Sequence, residues 1–149
     1  MTLKQKIYDH YFRLINEKIS SLQQVLSDLK ESGANETKST AGDKHETALA
    51  MLQIEQANKR GQLKEVLDQK AVYERIDPSL SSQIIVNGSL IITNRGQFFL
   101  SVAAGKAIVQ GNTIIALSPQ SPLGMKLMGL KAGNDLEVNN ISYTIVAIE

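Results

Sequence analysis

The sequence predicts an α+β protein: an N-terminal antiparallel helical hairpin followed by a small antiparallel sheet that carries one short helix. Three observations predict it. Apolar residues recur at coiled-coil spacing through the first half of the chain, the composition changes at Asp77-Pro78, and beyond that point apolar residues alternate with polar ones between Gly and Asn turn signals. The implied division is a helical-hairpin coiled-coil domain over residues 1–77 and a globular domain over 78–149.

The first helix is predicted from about Leu3 to Glu31. Tyr8, Phe12, Ile15, Ile19, Leu22, Leu26 and Leu29 follow spacings of 4, 3, 4, 3, 4 and 3, a seam held for three heptads. Such a helix is about 43 Å long at a rise of 1.5 Å per residue. A stripe that long and narrow needs a partner helix. The stretch from about Lys44 to Arg75 supplies one, with Leu49, Leu52, Leu63, Val66 and Tyr73 on its seam and Gln56, Lys59 and Gly61 interrupting it. A Gly inside a helix costs about 1 kcal/mol against Ala, so the hairpin is expected to be weaker in its middle. A parallel dimer through the same seam is the rival pairing.

Residues 32–43 between the helices are small and polar, with nothing larger and apolar than Ala. Around their end lie Glu36, Asp43 and Glu46 against Lys38 and Lys44, so the hairpin is expected to carry an acidic tip. Asp43-x-x-Glu46 also reads as a capping box, in which Asp43 accepts a first-turn N–H and Glu46 reaches back. The two readings are compatible, because a cap fixes the carboxylates that a function would use.

Past Asp77-Pro78, a helix stop and linker, strands are predicted at Ile84–Val86, Leu90–Thr93, Phe98–Val102, Ala107–Val109, Thr113–Leu117, Leu136–Val138 and Tyr143–Ile148. Gly88, Asn94-Arg95-Gly96, Gly105 and Gly111-Asn112 separate them. Ser121-Pro122 reads as the N-cap and first residue of a short helix, with Gly129 just past its end. Leu123, Leu127 and Leu130 are expected to face the sheet.

Composition narrows the chemistry. The 149 residues include no Cys and no Trp and only seven Phe and Tyr, which excludes disulfides, thiolate metal sites and Cys nucleophiles and disfavours a deep aromatic pocket. Residues 1–77 hold 12 Lys and Arg against 12 Asp and Glu, and residues 78–149 hold 4 against 3. Neither half has the basic balance of an autonomous nucleic-acid binder. No apolar run approaches a spanning helix, and no apolar segment follows the charged start, so a soluble cytoplasmic protein without a membrane partner is expected.

Two segments resemble the bacterial Gre transcript-cleavage factors. Gly42-Asp43-Lys44-His45-Glu46-Thr47-Ala48 is similar to the family's Gly-Asp-x-x-Glu-Asn-Ala tip motif. Ser121-Pro122-Leu123-Gly124-Met125-Lys126-Leu127-Met128-Gly129, through Gly133, is similar to its Ser-Pro-x-x-x-Ala-x-x-Gly-x-x-x-Gly-Asp signature. Their order and separation fit nearly the whole chain. The resemblance implies a helical hairpin followed by an FKBP-like sheet domain that probes the secondary channel of RNA polymerase, and a monomer is expected. It implies that Asp43 and Glu46 are the catalytic carboxylates, helping to hold a Mg²⁺ shared with the polymerase while the 3′ end of backtracked nascent RNA is hydrolysed. The factor itself is then no enzyme, because it stimulates the polymerase's own activity. It also implies that Ser121, Pro122, Leu123, Met125, Met128 and Gly129 form a polymerase-docking segment. The sequence departs from the family at Thr47 for Asn, Lys126 for Ala and Asn134 for Asp.

Plain structural roles compete at several of these positions. Ser121 fits a helix cap, Leu123 and Leu127 fit core, and Met125 and Met128 suit either core or an adaptable docking patch. Glu36 and Lys38 read as solvated loop charges. His45 beside the turn is an ordinary loop histidine, and His10 lies on a surface stretch of the first helix without a visible partner. The rival functions are a Gre-like polymerase binder that does not cleave, a peptidyl-prolyl isomerase and a coiled-coil assembly module.

Overall fold

The computed structural model of the chain describes the backbone of residues 1–37 and 43–149 and the side chains of 1–35 and 46–149. Two long helices, α1 (Leu3–Thr37) and α2 (Asp43–Glu74), precede strands β1 (Leu90–Thr93), β2 (Gly96–Leu100), β3 (Gly105–Val109) and β4 (Asn112–Leu117). The short helix α3 (Pro122–Leu127) follows, then β5 (Asp135–Val138) and β6 (Ile141–Ile148). A helical hairpin followed by a mainly antiparallel sheet with one short helix is the expected fold class. The chain divides into two compact units, one of Met1–Arg13 with Ala71–Glu149 and the other of Leu14–Lys70.

In the first unit the sheet order is β3-β4-β2-β1-β6-β5. Every neighbouring pair is antiparallel except β2 and β4, which run parallel with Phe98 beside Ile115 and Phe99 beside Ala116. The β3–β4 hairpin causes this: β4 returns beside β2 in the same direction, and β3 becomes an edge. Side chains alternate between the two faces. One face carries Phe98, Leu100 and Ile145, which pack with Leu117, Leu127 and Ile85 into the apolar cluster under α3. The other face carries Phe99, whose ring meets Tyr11 at 6.4 Å and Tyr73 at 6.2 Å. The root of the hairpin therefore seals the second face of the sheet.

The helix roots are ordered by buried phenols. Tyr11 donates to the Gly105 carbonyl at 2.8 Å, and the Tyr73 hydroxyl pairs with Ser101 Oγ at 3.0 Å. Tyr8 donates to the Tyr73 carbonyl at 2.7 Å, and Tyr8 and Phe12 stack close to the Tyr73 ring. Buried polar tips finding partners is what makes an aromatic root compatible with a dry interior. The most buried positions are Ile7 and Tyr11 rather than the expected Tyr8 and Phe12, which are half-buried. At the root, α1 buries two faces, one on α2 and one on the sheet, and a single heptad stripe describes only the first.

The linker is pinned at both sides. Asp77 accepts from the Ser79 N–H at 2.9 Å and from its hydroxyl, and those bonds hold its carboxyl below the usual carboxylate range. Lys4, 6% exposed, donates to the Leu80 carbonyl at 2.6 Å, and burial pushes its ammonium down while the Glu149 and Asp77 charges oppose that shift. The strand expected at Ile84–Val86 is not formed. Ile84 makes an isolated bridge to Lys131, Ile85 exchanges backbone bonds with Gly129 and Leu130, and a turn closes from Val86 to Ser89. Gly88 at φ 91° forms that turn, and an added Cβ there would meet Ile76 at 2.7 Å.

In the second unit, Leu14–Lys70, Ile15, Ile19 and Leu22 of α1 are buried and Leu26 and Leu29 are half-buried. On α2 the protected positions Leu49, Leu52, Gln56, Lys59, Leu63 and Val66 keep heptad spacing without a break. Gln56 and Lys59 thus occupy the seam as polar members, a device that weakens a coiled coil while specifying its register. Gly61 is exposed and lies off the seam, with open space where a Cβ would stand. Among the described residues no helix is long and apolar enough to cross a membrane.

Candidate functional site

The tip motif falls at the start of α2. Asp43 is the first residue of that helix, and Glu46 follows within its first turn, so the two positions lie on neighbouring points of one helical face. Glu46 is exposed. The side chain of Asp43 lies outside the described residues, as do those of Glu36, Lys38, Lys44 and His45, so the capping-box reading falls there too. Thr47, where the resemblance expects Asn, is exposed at the same end.

Close behind Glu46 the helix presents apolar surface to solvent. Met51 is 66% exposed and Ile54 is 63% exposed. Together with Ser32, Ala48, Leu52 and Glu55 they line an open groove of about 580 Å³. Sequence periodicity had no place for these two residues, because they stand off the seam. That misfit is their signal: large apolar side chains on a face that a hairpin does not bury.

The second motif falls on α3. Ser121 is its N-cap: Oγ accepts the Gly124 N–H at 3.0 Å and donates to the Ser118 carbonyl at 2.7 Å. Its hydroxyl is committed to the cap. Pro122 takes the first helical turn, where its missing N–H leaves nothing unpaired. Gly124 is demanded by close approach, since a Cβ would stand 2.0 Å from the Ser118 carbonyl oxygen. Leu123 packs on the apolar cluster under the helix. Met125 and Met128 point outward at 62% and 38% exposure. Gly129 ends the segment at φ 84°, and its N–H donates to the Ile85 carbonyl at 2.8 Å.

The two departures in this segment are accommodated locally. Lys126 is exposed and reaches the Glu137 carbonyl at 2.7 Å. Asn134 Oδ1 accepts the Lys131 N–H at 2.8 Å, the bond a carboxylate would make from the same position. His10 differs from its expectation: it is half-buried, edge-on to Tyr11 at 5.5 Å, with Nδ1 3.4 Å from Arg13. No cluster of three or more His, Cys, Asp or Glu capable of holding a metal occurs among the described residues.

No family model matches the chain, and no curated protein matches it. Among solved structures it is similar to one described as the structure of the transcription factor Gfh1, at 16% identity over 95% of this chain and 92% of that one, with a TM-score of 0.34.

Proposed function

We propose that the chain is an RNA polymerase-binding transcription elongation factor of the Gre type. In this reading the hairpin carries Asp43 and Glu46 into the secondary channel and stimulates cleavage of backtracked RNA by the polymerase. One observation carries it. Each of the two resembling segments sits at a structurally distinct place suited to its role: the acidic pair at the start of α2, and the Ser-Pro segment as a capped helix with Met125 and Met128 exposed.

The residue types suit the chemistry. Mg²⁺ takes oxygen ligands and often retains several waters beside one or two carboxylates. Two carboxylate positions in one helical turn, one of them exposed, fit such an ion. When bound between factor and polymerase, the ion would polarise the attacking water. Asp43 and Glu46 would supply its charge partners, Glu46 would orient water by accepting its hydrogen bond, and Met125 and Met128 would hold the sheet unit to the polymerase surface.

A second reading, a polymerase binder that modulates without cleaving, is favoured by the charges of α2. Lys59 is withdrawn into the seam, Arg60 bonds to Gln56 at 3.2 Å, and Lys64 pairs with Asp68 at 3.4 Å. Cations so engaged offer less to RNA. A stalled, backtracked elongation complex with Mg²⁺ separates the readings. Shortening of the transcript by the purified protein, lost with Asp43→Asn and Glu46→Gln, supports the first. Polymerase binding without shortening supports the second, and absence of binding sinks both.

A further inference from the structure

We propose that the hairpin of Leu14–Lys70 consists of two cooperative halves, and that a polar layer at Gln56 and Lys59 lets the tip half open while the base half stays folded. The device is conformational and is independent of the polymerase reading.

Burial along the seam changes at that layer. Leu22 and Lys59 stand equally far, within a residue, from the facing ends of α1 and α2, so they lie at one level of the antiparallel pair. On the base side of this level Ile15, Ile19 and Leu22 of α1 and Val66 of α2 are buried, at 3–7% exposure, and only Leu63, next to the layer, is half-buried. On the tip side Leu26 and Leu29 of α1 and Leu49 and Leu52 of α2 are all half-buried. The residue types are alike on both sides, so the difference lies in how completely water is removed from them. Burial of apolar surface is the main source of stability, and the tip half has less of it for each seam residue. Exposed apolar residues off the seam do not separate the halves, because Leu14 and Leu67 on one side match Met51 and Ile54 on the other.

The layer itself explains why the halves can part. Gln56 and Lys59 take two successive seam positions, and both are half-buried. A polar tip between two helices loses water without gaining apolar contact. The Gln56 carbonyl oxygen accepts from Arg60 on its own helix at 3.2 Å, so that bond does not tie α2 to α1. Opening on one side of such a layer forfeits few contacts on the other, which is the condition for a local cooperative opening. Gly33, inside the final turns of α1, lowers helix propensity in the tip half further. Glu46 belongs to this half, so its place in the first turn of α2 lasts only while the half is closed.

Fraying of two separate helix ends is the competing account, and it predicts a gradient where the polar layer predicts a step. The test is native-state hydrogen exchange of the full ¹⁵N-labelled chain at several low urea concentrations. Amides of Ile19, Leu22 and Val66 should exchange about a hundredfold or more slowly than those of Leu26, Leu29 and Leu52. The three tip amides, drawn from both helices, should share one urea dependence, weaker than that of the base amides because less surface is exposed. Gln56→Leu combined with Lys59→Leu should slow the tip amides about tenfold or more and reduce the step. Gly61→Ala, off the seam and on the base side, should leave the tip amides unchanged, since position 61 stays folded when the tip half opens. The wild-type pattern decides the step by itself, whatever the leucine variant does to association. Four outcomes overturn the proposal: a smooth decline in protection toward the tip, different urea dependences for Leu26 and Leu52, slowing of the tip amides by Gly61→Ala equal to that of the leucine pair, or tip protection that grows with protein concentration. The last would mean that a second copy of the chain covers the tip half.

Discussion

Tyr73 shows how one side chain joins chemistry to fold at the residue scale. Its ring is fully buried against Tyr8, Phe12 and Phe99, and its hydroxyl is satisfied by Ser101. Tyr73→Phe leaves Ser101 Oγ without that partner and is expected to lower unfolding free energy by about 1–2 kcal/mol, read from urea melts. Burial also raises the pKa of Tyr8, Tyr11 and Tyr73 above the ordinary 10.0, because a phenolate is disfavoured in a dry root. The sign follows directly. The raised folded-state values contribute stability that is complete below pH 10 and is lost as the pH climbs beyond it, when the unfolded chain ionises first. Lys4, shifted down by burial, works oppositely just below 10.5, where its destabilising charge is shed. Urea midpoints should therefore fall between pH 10 and 11, and less steeply in the Tyr73→Phe variant. Gly124→Ala must move the Ser118 carbonyl from a 2.0 Å clash, and a loss of about 2 kcal/mol or more is expected in the same melts.

At the scale of elements, the hairpin seam was legible and its root was not. Spacing alone located Ile15, Ile19 and Leu22, and all three are buried. Tyr11 escaped because it answers to the sheet, as Ile7 one turn before it shares its face, and sheet contacts leave no mark in a helix's own period. The missing strand at Ile84–Val86 has a similar origin: its apolar residues serve a bridge and two backbone bonds to the chain after α3, which strand propensity cannot distinguish from a ladder. The parallel β2–β4 pair was hidden because pairing partners are set by topology and not by composition. The short helix was readable because Ser-Pro and Gly carry their geometry locally. The α2 seam supplies a prediction here. Lys59→Leu fills a half-buried polar seam position and should raise hairpin stability by about 1 kcal/mol. Gly61→Ala, with open space for its methyl group, should add about 0.5–1 kcal/mol. Positions 59 and 61 are close neighbours on α2, so the double variant in thermal melts reads whether the two gains couple.

For the whole molecule, the sequence motifs indicated which residues to watch, and the structure sorted their local duties. Ser121, Gly124 and Gly129 shape α3, Leu123 supports the core, and Met125 and Met128 are left facing outward. Asp43 and Glu46 begin α2, where a helix start can present carboxylates to a partner. What no single-chain pattern contains is the other half of the site, because in the proposed function the polymerase supplies it. The most direct measurement is proximity crosslinking. A photoreactive side chain in place of Thr47, next to Glu46, is placed in a backtracked elongation complex carrying RNA labelled at its 3′ end. The account predicts a crosslink to the RNA 3′ segment, competed away by unlabelled wild-type chain. Adducts restricted to the outer surface of the polymerase, or none with RNA, would contradict it.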